Sequence, residues 1–100
     1  MDFHQLRRRM PALINEMTED VTLDTENEID EFVILANEGV KFDSEIPRFV
    51  YYESVHTNLR RHLALLEKEG FITIVSKANA PIYRMTESFL TLLARQNDPS

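Results

Sequence analysis

Arg60 and Arg61, preceded by His56, Thr57 and Asn58, are the residues of this chain best suited to recognising an anion or a base edge. A guanidinium can bond both acceptors of a guanine, while threonine, asparagine and histidine reach base edges or phosphates. Successive residues on a helix point about 100° apart, so the two arginines cannot face the same base pair. Arg60 shares a row with His56 and Ala64, which suits a groove floor. Arg61 shares a row with Thr57 and suits either a groove or a phosphate wall. Lys77, Asn79 and Arg84 form a second polar group that can reach phosphate or the minor groove. Arg7, Arg8 and Arg9 can touch flanking phosphates but read first as a solvated helix face.

Other chemistry fits the residues less well. Asp20, Thr22, Asp24, Glu28 and Glu31 fall at the ligand spacing of a calcium loop, but Thr25 stands where that loop needs glycine and Asn27 where it carries an apolar residue. His4, His56 and His62 lack metal-ligand spacing, and with no cysteine there is neither a zinc-thiolate site nor a disulfide. Two glycines are too few for a phosphate cradle, and no serine, histidine and acid are spaced for nucleophilic catalysis. The expectation is a protein that is not an enzyme and holds no cofactor or metal.

At 100 residues and 43% hydrophobic the chain has the size and composition of one globular domain. No apolar run approaches the roughly 18 residues of a membrane span, and no signal-peptide stretch opens the chain. A cytoplasmic protein without membrane contact is expected. The net charge of -6 comes from one segment: residues 16–53 hold twelve acids against Lys41 and Arg48. Residues 54–86 hold Arg60, Arg61, Lys68, Lys77 and Arg84 against Glu67 and Glu69, so a basic footprint there survives the overall acidity.

The elements that must position these residues follow from periodicity and caps. Phe3, Leu6, Met10, Leu13, Ile14 and Met17 recur at helical spacing over 1–18, with a kink or restart at Pro11. Thr25 and Glu28 form a capping box, with Asp24 as the alternative cap, ahead of a helix burying Ile29, Phe32, Val33 and Ala36 and stopped by Gly39. Val40–Phe42 reads as a short extended piece. Asp43 or Ser44 caps the next helix, with Pro47 in its first turn and Ile46, Phe49 and Val50 facing inward. Ser54 caps a helix over 55–69 with the stripe Val55, Leu59, Leu63 and Leu66, stopped by Gly70. Phe71–Ser76 and Ile82–Met85 read as strands around a turn at 77–81. Thr86 caps a final helix over 87–96 holding Phe89, Leu90, Leu93 and Ala94.

This order, helix, short strand, helix, helix, strand, turn, strand, helix, together with HTNLRRHLALLEKEGFI and YRMTESFLTLL, resembles the winged helix-turn-helix transcription regulators of the MarR-like, PadR-like and arsenic-repressor-like families. The resemblance spans residues 26 to 95 and implies an α+β winged helix-turn-helix with additional N- and C-terminal helices, its winged core over 26–86. Tyr51–Tyr52–Glu53–Ser54, in the turn between the two helices, is bulkier and longer than the family's small-residue turn. The resemblance implies a sequence-specific regulator that reads double-stranded DNA with helix 55–69 and touches flanking DNA with the wing. The implied contacts are His56, Thr57, Asn58, Arg60, Arg61, Lys77, Asn79 and Arg84. It also implies a homodimer paired through Phe3, Leu6, Leu13, Phe89, Leu90 and Leu93. The alternative is a winged-helix protein-interaction module whose acidic segment, 16–53, docks a basic protein partner. The position of the twelve acids relative to the recognition helix separates the two readings.

Overall fold

The structure, a computed structural model, describes residues 2–24, 26–41 and 45–95. It is an α+β domain with the order α1 (Phe3–Arg9), α2 (Pro11–Leu23), β1 (Glu31–Leu35), β2 (Phe49–Tyr52), α3 (Leu59–Lys68), β3 (Ile72–Ser76), β4 (Ile82–Met85) and α4 (Glu87–Arg95).

The sheet order is β2-β1-β4-β3. β1 runs parallel to β2, with Phe32 opposite Phe49 and Leu35 opposite Tyr52. It runs antiparallel to β4, with Phe32 opposite Tyr83, and β3 and β4 form a hairpin with an irregularity between Ile74 and Ser76. The sheet is therefore mixed, and α3 links strands at its two opposite edges.

Alternate residues of a strand face opposite sides, and Phe32, Ile34, Tyr51, Ile72, Tyr83 and Met85 all join one core cluster. Into that cluster α1 sends Phe3 and Leu6, α2 sends Leu13, Ile14 and Met17, α3 sends Leu59, Leu63 and Leu66, and α4 sends Phe89 and Leu93. All four helices therefore pack on one face of the sheet. The Phe32 ring stacks on Tyr83 at 5.4 Å and meets Tyr51 edge-on at 5.3 Å. Val33 and Leu35, alternating to the opposite face, are buried outside that cluster.

The local signals account for the helix ends. Pro11 occupies the first turn of α2, where its missing N–H costs nothing, so the chain restarts a helix there. Asp2 and Gln5 form a capping box on α1 that the sequence reading did not single out. Gly70 ends α3 at φ 80, a conformation that favours glycine. The Thr86 hydroxyl lies 3.1 Å from the Phe71 carbonyl and accepts from the Phe89 N–H at 3.4 Å, capping α4.

Residues 26–53 depart from expectation. Neither of the two helices expected ahead of the recognition helix forms, and β1 and β2 stand in their place. The spacing of Ile29, Phe32, Val33 and Ala36 suggested an amphipathic helix, yet Phe32–Leu35 is a continuous apolar run buried on both faces between two strands. A run that short carries no decisive period, and its β-branched residues favour a strand. Glu28 has φ 48, which no helix interior adopts, and Asp24 accepts from the Asn27 and Ile29 N–H groups in a turn. Thr25, Phe42, Asp43 and Ser44 lie outside the described residues. Phe49–Tyr52 is aromatic and β-branched, and it pairs along β1 instead of coiling. Gly39 lies in a turn, where its N–H donates to Asn37 Oδ1 at 2.8 Å. The helix expected over 55–69 is shorter at its start: α3 begins at Leu59, after Asn58 at φ 61, and Val55 is 53% exposed rather than part of the stripe.

Candidate nucleic-acid interface

α3 has one buried and one open side. Leu59, Leu63 and Leu66 are buried, so Arg61, Ala64 and Lys68 fall on the opposite side, one turn apart from one another. α1 ends beside them. Its last residue, Arg9, lines a hollow of about 370 Å³ together with Arg61, His62, Ala64, Leu65 and Lys68. Four basic side chains thus converge on a floor made by Ala64 and Leu65, and among the described residues no carboxylate lines the hollow. A second hollow of about 230 Å³ shares Arg9 and His62 and continues past Pro11, Ala12, Val55 and Thr57.

The field in this region acts on His62. Burial pushes its imidazole below the ordinary value of 6.5, and the nearby His56, Arg61 and Arg9 push it the same way. A group whose protonation is opposed by three basic neighbours marks a place where an anion is favoured.

The segment that leads into α3 is anchored to α2. His56 Nε2 lies 2.6 Å from Glu16 Oε1, and the His56 ring meets Tyr51 edge-on at 6.4 Å. One turn along α2, Asp20 faces Tyr51. Burial pushes the Tyr51 phenol well above its ordinary value and Asp20 pushes it further, without a hydrogen bond of standard geometry between them. Burial likewise raises the Asp20 carboxyl.

The expected DNA-binding residues divide into three groups. Thr57, Asn58, Arg60 and Arg61 are exposed around the start of α3, and Lys77 and Asn79 are exposed in the β3–β4 turn. His56 is a correction: it is 6% exposed and bonded to Glu16, because the chain is still in a turn at that point and aims the ring inward. Arg84 is also drawn from the expected role by an acid. It sits on β4, where Nη2 bonds Glu31 Oε2 at 2.6 Å, while Arg48 Nε bonds Glu31 Oε1 at 2.9 Å. Arg60 is held by Glu53, Nε to Oε1 at 2.8 Å. Arg9, His62 and Lys68 are the residues the sequence reading did not place here. Lys68 was within reach of the helical spacing, seven residues from Arg61. Arg9 depended on how α1 packs.

The expected dimer surface is also corrected. Phe3, Leu6, Leu13, Phe89 and Leu93 are all buried within the protomer, and Leu90 is half-buried against the same core. Phe3, Phe71 and Phe89 form an aromatic group, with Phe71 stacked on Phe89 at 5.2 Å. The apolar faces of the terminal helices are spent on the protomer's own core, which leaves these side chains unavailable to a second copy.

Among the described residues no cluster of histidine and acidic side chains is arranged to hold a metal, and no helix is long and apolar enough to cross a membrane. Comparison with protein-family models, curated proteins and solved structures finds no match to this chain.

Proposed function

We propose that this domain binds double-stranded DNA as a small regulator of transcription, through the open side of α3 and the basic hollow between α3 and α1. The observation that carries the reading is the convergence of Arg9, Arg61, His62 and Lys68 on one concave surface without an acid among the described residues of its lining. A hollow of that charge suits a backbone phosphate, while Thr57, Arg61 and Ala64 lie where a helix entering a groove meets base edges. Lys77 and Asn79 in the β3–β4 turn take the part of a wing.

The winged-helix reading finds support in the C-terminal half of the chain. The order α3, β3, turn, β4, α4 is the order of recognition helix, wing and further helix in the families the sequence resembles. In this reading β2 stands where those families carry a helix, and α3 is oriented by the His56–Glu16 contact to α2 instead of by a helix-turn-helix partner.

The acids leave this surface usable. Glu16 and Glu53 come near the start of α3, but each is matched to a base, His56 and Arg60 respectively. The base-reading role therefore falls to Arg61 rather than Arg60. The net charge of -6 keeps non-specific affinity low and makes binding sensitive to salt.

Fluorescence anisotropy at about 50 mM salt, on a short duplex selected by the protein from a random pool, tests the reading. Arg61→Ala/Lys68→Ala should weaken binding at least about tenfold and flatten the salt dependence by about one unit, for the phosphate contact of Lys68. Arg60→Ala should have less effect. No binding by the wild type at that salt, or equal binding by the double variant, overturns the proposal.

A further inference from the structure

A different hollow, of about 360 Å³, lies between the end of α2, the turn that follows it and α4. It shares no residue with the basic surface. One wall is a single stripe of α4, Glu87, Leu90, Thr91 and Ala94, at the spacing of one helix face, and the other is Val21, Asp24, Glu28 and Ile29. The apolar part of its lining is Val21, Ile29, Leu90 and Ala94, with Thr91 beside them. Its rim is acidic, made by Asp24, Glu28 and Glu87.

The rim is held in place. The Asp24 carboxylate accepts from the Asn27 N–H at 3.2 Å and the Ile29 N–H at 2.5 Å, which fixes the turn carrying Glu28. No basic side chain among the described residues pairs with Asp24, Glu28 or Glu87. Beside the rim, at the end of α2, Leu23 is 71% exposed. An apolar trough along two turns of a helix, edged by the carboxylates of Glu28 and Glu87 with no basic partner among the described residues, complements a helix with an apolar stripe flanked by lysine or arginine. We infer that this face docks a basic amphipathic helix of a partner protein, laid along α4 with its apolar side chains between Leu90 and Ile29 and its cations against Glu28 and Glu87.

The surface lies apart from Arg9, Arg61 and Lys68, so the domain can hold a partner and DNA together. The inference also stands without the DNA reading, since no residue is common to both surfaces.

Methyl NMR of the full chain with three synthetic peptides tests it: an amphipathic leucine/lysine helix, a leucine/glutamate helix and a lysine/serine peptide without leucine. The leucine/lysine peptide should shift the methyls of Val21, Ile29 and Leu90. Glu28→Lys/Glu87→Lys should weaken it at least about tenfold, while Glu38→Lys/Glu45→Lys, the same change of net charge at exposed sites outside the hollow, should weaken it less than about twofold. Thermal melts confirm that both variants are folded. Several results overturn the inference. These are no methyl shift, equal affinity for either control peptide, equal loss in the two charge variants, or shifts that grow with protein concentration alone, which would assign the face to a second copy of the chain.

Discussion

Glu16 Oε1 lies 2.6 Å from His56 Nε2 and ties the middle of α2 to the turn that launches α3. The imidazole is 5% exposed and the carboxylate 41%, so the histidine loses more when the contact is broken. A buried nitrogen left without a partner costs about 1–3 kcal/mol. Glu16→Ala should therefore destabilise the domain by that amount in a urea melt, and Glu16→Gln, which keeps an acceptor, by less. A loss under about half a kilocalorie for Glu16→Ala would show that the contact does not hold the segment.

Glu31 sits between Arg84 and Arg48, and its carboxyl is held below the ordinary 4.5, by the Arg84 hydrogen bond first and by Arg48 as well, against an opposing effect of burial. A carboxyl depressed in the folded state binds fewer protons there than in the unfolded chain. Its stabilisation is thus complete above about 4.5 and is lost as pH falls through the folded value. Urea melts between pH 6 and 3 should show wild-type stability declining more steeply than that of Glu31→Gln. Parallel curves would remove Glu31 from the acid response.

His62 gives a pH dependence of the same sign in a higher pH window. Its folded imidazole is depressed by burial and by His56, Arg61 and Arg9, so the unfolded chain takes up a proton first as pH falls past 6.5. The His62 contribution is intact above that value and declines below it. An anion seated in the hollow reverses the effect by favouring the imidazolium. In an NMR titration His62 should titrate below 6.5 in the free protein, and higher in Arg9→Ala, in Arg61→Ala and in the DNA complex. A His62 titration unmoved by DNA would place the phosphate elsewhere.

Phe89 and Leu63 are both fully buried. Leu63→Ala should cost about 2–5 kcal/mol and Phe89→Ala about 3–5 kcal/mol in a denaturant melt. Phe89→Ala distinguishes a core residue from a dimer contact, since it should lower the melting temperature without changing the mass measured by light scattering. A dimeric wild type that turns monomeric in this variant, with stability unchanged, would return Phe89 to an interface.

The sequence was most legible where local signals agree with tertiary packing. Pro11, Gly70 and Thr86 each mark an element end for a backbone reason that neighbours in space do not alter. Leu59, Leu63 and Leu66 define the buried side of α3, and with it the open side that carries Arg61 and Lys68. Between Ile29 and Tyr52 the decisive interactions are distant. β1 takes its shape from pairing with Phe49–Tyr52 and Ile82–Arg84, and no window of sequence contains those partners. The basic hollow was half legible for the same reason: Arg61 and Lys68 share a helix, whereas Arg9 arrives from α1.

The position of β1 at the centre of the sheet sets an order of assembly. Arg84 and Glu31 are 53 residues apart, whereas Ser76 and Ile82, partners across the β3–β4 turn, are six apart. Chain closure grows with the logarithm of loop length, so joining β1 to β4 costs about 2 kcal/mol more entropy than closing the hairpin. The hairpin can form from its own neighbourhood and offer β4 as an edge, onto which β1 docks already paired with β2, whose partner residues lie only 17 positions away. Pulse-labelled amide exchange during refolding should accordingly protect the β3–β4 amides ahead of those in Phe32–Leu35. The strand hardest to recognise from sequence is then also the one the chain is slowest to place, since both follow from partners that lie far along the backbone.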